Sequence, residues 1–132
     1  MSEIAKKNIL LVEDHPLNMK LAVDLLEYGG FHVIRATSGS QAMELLAHET
    51  PDLILLDIRL PDLDGFEILQ RIRAQRKLDP VRVVAMTAQG MREEKTKITD
   101  AGFDGYILKP FEASHFVEHI HNILSTKREA SS

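Results

Sequence analysis

Short, nearly unbroken apolar runs alternate along this chain with longer segments whose apolar residues recur every three or four positions. The runs at 9–13, His32–Ala36, Leu53–Asp57, 82–86 and 105–108 predict five strands. The first, third and fourth are almost continuously apolar. Strands buried on both faces read that way, whereas a sheet with one wet face would alternate. Strands and amphipathic segments taking turns predict an α/β fold in which helices cover both faces of a parallel sheet.

The intervening segments carry helix signals. Leu17, Leu21, Leu25 and Leu26 form a stripe, opened by Pro16 in the first turn and closed by Gly29 and Gly30. Ala42, Leu45 and Leu46 form a second stripe, with Ser38 or Ser40 available as its cap. Phe66, Leu69 and Ile72 form a third, followed by Arg71, Arg73 and Arg76 where cations suit the helix dipole. In the last helix Phe116, Val117, Ile120, Ile123 and Leu124 share a face. The segment Arg92–Ala101 differs, because Met91, Ile98 and Ala101 are its only apolar anchors. Weak packing predicts low local stability there, a property that suits a moving element. No internal repeat, linker or low-complexity stretch interrupts the pattern, and only the polar tail 125–132 looks frayed.

Composition narrows the function classes. The chain of 132 residues is the size of one domain, 1–132, with a core at about 8–124. A net charge of -4 with dispersed lysines and arginines gives no basic patch for nucleic acid. The absence of cysteine excludes disulfides, thiol nucleophiles and cysteine-ligated zinc. Apolar runs such as 9–12 and 53–56 are far too short to span a bilayer, and residues 1–8 do not read as a signal peptide. A cytoplasmic location is the expectation.

In an open, doubly wound sheet, ligands bind beyond the carboxyl ends of the strands, where strand order reverses. The polar residues at those ends are Glu13 and Asp14, Asp57, Thr87, and Lys109 with Pro110. Clustered carboxylates repel unless a cation joins them, and magnesium suits a small set that leaves room for waters and phosphate oxygens. A phosphoryl group on Asp57 brings charge that a metal and Lys109 neutralise, and Thr87 can donate its hydroxyl to it. Aspartate is a known nucleophile in acyl-phosphate chemistry. Singly, each residue has a plainer role: a turn-capping Asp, a loop Thr, a solvated Lys. Their joint placement at the ends of four strands is the signal.

The motifs VEDHPLN, LILLDIRLPDLDGFE, VAMTAQ and GYILKPF, in this order and spacing, resemble those of the response-regulator receiver (CheY-like) family over about residues 8–124. The resemblance implies a flavodoxin-like sheet of five parallel strands in the order 2-1-3-4-5, with five helices. It implies that Asp57 is phosphorylated in a two-component system. Asp14, Asp57 and the backbone carbonyl of Arg59 would bind Mg2+, with Glu13 acting through a water. Thr87 and Lys109 would hold the phosphoryl group, with a cis peptide between Lys109 and Pro110. Tyr106 would be the switch aromatic, and Arg59 and Gln89 would tune the phosphoryl lifetime. The implied protein is a regulatory phosphoacceptor, not an enzyme, beyond self-catalysed phosphotransfer and autodephosphorylation.

Its implied partners are a sensor histidine kinase or histidine phosphotransfer protein, docking near the first helix and the loop after Lys109, and a downstream protein target. Only about eight residues follow the last helix, so a stand-alone receiver acting through protein contacts is expected. The start EDHPLNMKL resembles the single-domain DivK cell-cycle regulators, which act as adaptors or relay intermediates. Receivers of hybrid kinases share that style and are the alternative. The last helix, EASHFVEHIHNIL, lacks the arginines of the family's transcription-factor dimers, so a monomer or weak dimer is expected.

Three other signals compete. Asp62–Leu63–Asp64–Gly65 resembles the DxDG signature of Asp-nucleophile phosphatases, but that signature needs its first Asp at a strand tip, and here the strand ends at Asp57. The turn and N-cap of the next helix is the better reading. His115, His119 and His121 lack a further ligand to close a metal site, so a solvated face accounts for them, and His15 is a loop residue beside the acidic pair. A flavin mononucleotide module needs a Ser, Thr and Gly phosphate loop after the first strand, where this chain has Glu-Asp-His-Pro.

Overall fold

A computed structural model describes residues 6–88, 92–109 and 113–125. Its strands β1 (Asn8–Val12), β2 (His32–Ala36), β3 (Leu53–Asp57), β4 (Arg82–Ala88) and β5 (Gly105–Lys109) form one parallel sheet in the order β2-β1-β3-β4-β5. Between them run α1 (Pro16–Tyr28), α2 (Gly39–Leu46), α3 (Gly65–Arg73) with a 3-10 turn at Arg76–Leu78, and α4 (Arg92–Ala101); α5 (Ala113–Ser125) closes the order. This is the flavodoxin-like arrangement. The chain leaves β1 for one edge and returns to β3 on its other side, so a crevice opens beyond the carboxyl ends of β1 and β3.

Successive side chains of a strand point to opposite faces, and the apolar runs divide accordingly. Ile9, Leu11, Leu53, Leu55, Val84 and Met86 face the layer of α1 and α5. Leu10, Val12, Ile54, Leu56, Val83 and Ala85 face the layer of α2, α3 and α4. The central strands are thus apolar throughout because neither face meets water.

Boundaries shift slightly from expectation. Glu13 lies just past β1, although its N–H still bonds the Ala36 carbonyl at 3.0 Å. The fourth strand runs two residues further than predicted, pairing Thr87 with Leu108 and Ala88 with Lys109. A polar side chain does not end a ladder made by the backbone.

The leucine stripe predicted for the first helix holds only in its C-terminal half, where Leu26 is buried and Leu25 packs against the core. Leu17 is 72% exposed and Leu21 43%, while α1 buries Ala22, Val23 and Leu26. Small residues decide this packing: Gly29, closing α1, lies so near α5 that a Cβ there would meet Val117 at 2.5 Å. Leucine is a good helix former wherever it sits, so leucine spacing alone misassigns the face. On α4, Ile98 is buried, but the predicted anchor Ala101 is exposed. Met91 lies outside the described residues. The last helix buries Phe116 and Ile120 as expected, with Val117, Ile123 and Leu124 against the same core.

The arginines ending α3 do more than suit its dipole. Arg71 pairs with Glu67 at 2.7 Å on the surface. Arg73 donates to the carbonyls of Leu78 (3.1 Å) and Val81 (2.8 Å) and to Asp104 (3.0 Å), whose carboxylate also accepts the Val83 N–H at 2.8 Å. One side chain thereby ties α3 to the entry of β4 and β5. Arg73→Ala is expected to cost about 2 kcal/mol, the scale of hydrogen bonds to a charged group. A lower urea midpoint at unchanged slope checks it.

Candidate functional site

Each candidate side chain sits where a strand ends. Asp57 is the last residue of β3 and Lys109 the last of β5, while Thr87 is next to last in β4. Glu13 and Asp14 occupy the turn between β1 and α1. Glu13, Asp57 and Thr87 are buried, and Asp14 is exposed. The switch point therefore gathers three carboxylates, a hydroxyl and an ammonium from four strands.

Lys109 is the hub. Its ammonium donates to Glu13 Oε1 at 2.5 Å and to Asp57 Oδ2 at 3.1 Å. The free oxygens are held by backbone: Glu13 Oε2 accepts the His15 N–H at 2.9 Å, and Asp57 Oδ1 accepts the Arg59 N–H at 3.0 Å. Burial pushes the Glu13 carboxyl above its ordinary range, against the pull of Lys109 and the His15 N–H. Burial also acts to lower the Lys109 pKa, but the carboxylates of Glu13 and Asp57 outweigh it and hold the ammonium above its ordinary value.

Glu13, Asp14 and Asp57 each offer an oxygen within 4.8 Å of the others, the one such potential metal grouping among the described residues. Oxygens around an ion at about 2.1 Å lie up to about 4.2 Å apart, so small side-chain movements would close the set. Three carboxylates against one lysine leave charge for a divalent cation. The donor set therefore fits a hard ion with oxygen ligands.

Thr87 donates its hydroxyl to the Ala88 carbonyl at 3.0 Å. Tyr106, beside Ala85 in the β4–β5 register, is half-buried against the core, with the Lys95 ammonium 5.8 Å from its ring centre. Gln89 and Pro110 lie outside the described residues. His115, His119 and His121 are exposed and in no metal grouping; His121 stacks on Phe31 with ring centres 4.7 Å apart.

The loop from Ile58 to Asp64 carries the Asp-rich segment. Asp64 caps α3, accepting from the N–H groups of Phe66 and Glu67, as the turn-and-cap reading expected. Gly65 is required by closeness: its N–H bonds the Ile58 carbonyl at 2.8 Å, and a Cβ there would lie 2.8 Å from Ile58 Cα. Asp62 caps a different helix. Its carboxylate accepts the N–H groups of Gly39 and Ser40, both at 2.9 Å, and the Ser40 hydroxyl at 2.8 Å. These bonds lower its pKa to about 2, the Ser40 N–H contributing most. Its stabilising effect is full above the ordinary carboxylate range and is lost as pH falls toward that value. The hint in the sequence is a helix with no acidic residue in its first turn.

Residues 9–121 match the sequence model of the response regulator receiver domain. The chain belongs to that family. This receiver domain is 39% identical over 118 residues to the polar-differentiation response regulators DivK of Brucella ovis and Brucella abortus, an alignment covering 89% of this chain and 96% of theirs. A putative response regulator from Chloroflexus aurantiacus superposes with TM-score 0.88 at 30% identity, over 92% of this receiver and all of that chain. The receiver domain of sensor histidine kinase PA1611 from Pseudomonas aeruginosa gives 0.84 at 32%, over the same shares, and has a magnesium ion coordinated in its active-site cleft. The receiver belongs to two-component signalling, and among its described residues no helix is long and apolar enough to cross a membrane.

Proposed function

We propose that the chain is a cytoplasmic response-regulator receiver whose Asp57 accepts a phosphoryl group from a histidine kinase or phosphotransfer protein. The observation that carries this reading is the Lys109 ammonium lying between Asp57 and Glu13 at the crevice, with Asp14 beside them. Asp57 Oδ2 attacks phosphorus, the bond to the donor's nitrogen or oxygen breaks, and the leaving group departs with its electron pair. The Arg59 N–H steadies the other Asp57 oxygen during attack. Lys109 and the Thr87 hydroxyl neutralise charge on the transferred oxygens. Asp14, Asp57 and the Arg59 carbonyl, with Glu13 through a water, would hold Mg2+, which would supply further charge neutralisation. Arg59 and Gln89 tune how long the phosphoryl group lasts.

Thr87 gives up the Ala88 carbonyl to reach the phosphoryl group, and Tyr106 turns into the space it leaves. Tyr106 and Leu108 line an open groove of about 860 Å³ between β5 and α5, so this motion reshapes a face available to a downstream protein. The thinly anchored α4 packs beside it and shifts with it. The likeness to DivK supports a cell-cycle or polarity adaptor, or a relay intermediate. The likeness to a kinase receiver favours the second reading, a receiver module of a hybrid kinase.

Incubation with acetyl phosphate and magnesium is expected to add one phosphoryl group per chain, mapped by mass spectrometry to the peptide containing Asp57. Label on another residue, or sustained turnover of p-nitrophenyl phosphate, would overturn the reading in favour of a different Asp or a phosphatase.

A further inference from the structure

We infer that Asp62 is a positioning residue for the acceptor site, acting by tying the loop that carries Arg59 to α2. The inference rests on the reading above, in which Asp57 and the Arg59 carbonyl hold a divalent cation. The inner part of that loop is fixed by backbone. Ile58 donates to the Met86 carbonyl at 3.1 Å, Arg59 donates to Asp57, and Arg59 and Asp64 form an antiparallel bridge. The outer turn has no ladder of its own, and its Pro61 and Asp62 are exposed.

What holds the outer turn is the Asp62 carboxylate on α2, through three hydrogen bonds with both oxygens engaged. Charge-assisted bonds at the positive end of a helix are strong for a surface group. Below them Leu63 packs on Gly39, where a Cβ would lie 3.0 Å from Leu63 Cβ, so loop and helix meet without a gap. Ala42 and Leu46 root α2 in the core. The path from α2 to the site is therefore short: Asp62 to Arg59 is three residues, and the Arg59–Asp64 bridge joins the two sides of the turn. Releasing Asp62 frees the turn to pull Arg59 away from Asp57.

The plainer role, a cap on α2, predicts lost stability with the site unmoved. Two measurements on the unphosphorylated full chain separate them: calorimetric titration with magnesium chloride, and amide exchange without metal. Asp62→Ala is expected to weaken magnesium binding roughly tenfold, the scale for residues that support a metal's ligands. It should also speed exchange at the Arg59 N–H. Asp62→Asn, which keeps one acceptor oxygen, should restore part of both. Arg73→Ala, destabilised far from the site, should change neither. Should Asp62→Ala not fold, Ser40→Ala removes the hydroxyl bond alone and is expected to move both readouts in the same direction by less. Unchanged magnesium affinity in Asp62→Ala, or an equal loss in Arg73→Ala, overturns the inference. A wild-type chain that binds no magnesium overturns the metal reading instead. Arg59 exchange then decides the tether by itself, and exchange unmoved by Asp62→Ala overturns it.

Discussion

Asp57→Asn is expected to abolish labelling by acetyl phosphate while leaving the fold intact. The asparagine is the same size, and its oxygen can still accept the Arg59 N–H that Asp57 Oδ1 accepts at 3.0 Å. Its amide nitrogen would face the Lys109 ammonium across the present 3.1 Å, donor against donor, so Lys109 would settle on Glu13. An amide has no anionic oxygen with which to attack phosphorus. A rate loss of at least about 10³ is the scale expected when a nucleophile is removed. The neighbouring carboxylates are poor substitutes. Glu13 is fully buried with both oxygens bonded, and the exposed Asp14 shows no bond to Lys109. Intact-mass measurement after incubation, beside a thermal melt, checks the claim. A folded variant labelled at the wild-type rate would remove Asp57 from its proposed role.

The sheet was legible because its central strands are buried on both faces, which leaves a run such as LILL between polar ends. The placement of the candidate site residues was legible for a related reason: a polar residue ending such a run has to lie at the sheet's edge. What the sequence hid were contacts between distant elements. The N-terminal half of the α1 face was misread because Leu17 and Leu21 outweigh Ala22 and Val23 by hydrophobicity, although the fold buries the latter pair and exposes the former. Asp62 lies 22 residues from the helix N–H it caps, outside any local capping pattern. Glu13 and Lys109 are 96 residues apart, so nothing local foretold that one ammonium would bridge Glu13 and Asp57. The last two contacts involve charges whose partners only the fold supplies.

Lys109→Met tests the consequence of that bridge for stability as well as for phosphotransfer. Methionine keeps the length of the stem but leaves Glu13, 0% exposed, without its cation. Removing one member of a buried pair costs roughly 3–5 kcal/mol, and the lower end is expected because Glu13 can escape by taking up a proton. The pH dependence identifies the cause. Glu13 binds its proton more tightly folded than at its ordinary value of 4.5, so native stability falls as pH rises from there through the raised folded value. Without Lys109 burial acts with less opposition, that window extends upward, and the loss at neutral pH deepens. Lys109 itself, raised above 10.5, contributes fully below that pH and loses its contribution as pH climbs through its folded value. The difference between wild type and variant should therefore peak near neutrality and shrink toward both acid and alkali. Urea titrations at acid, neutral and alkaline pH read this directly, and a gap independent of pH would mean that lost stem packing, not lost charge, is responsible. Labelling by acetyl phosphate should also slow by roughly 10²-fold, as when one preorganised donor to a developing anion is removed. Both expected effects share one cause: the ammonium that pairs with the buried Glu13 and Asp57 carboxylates is the group proposed to receive the charge of the phosphoryl group.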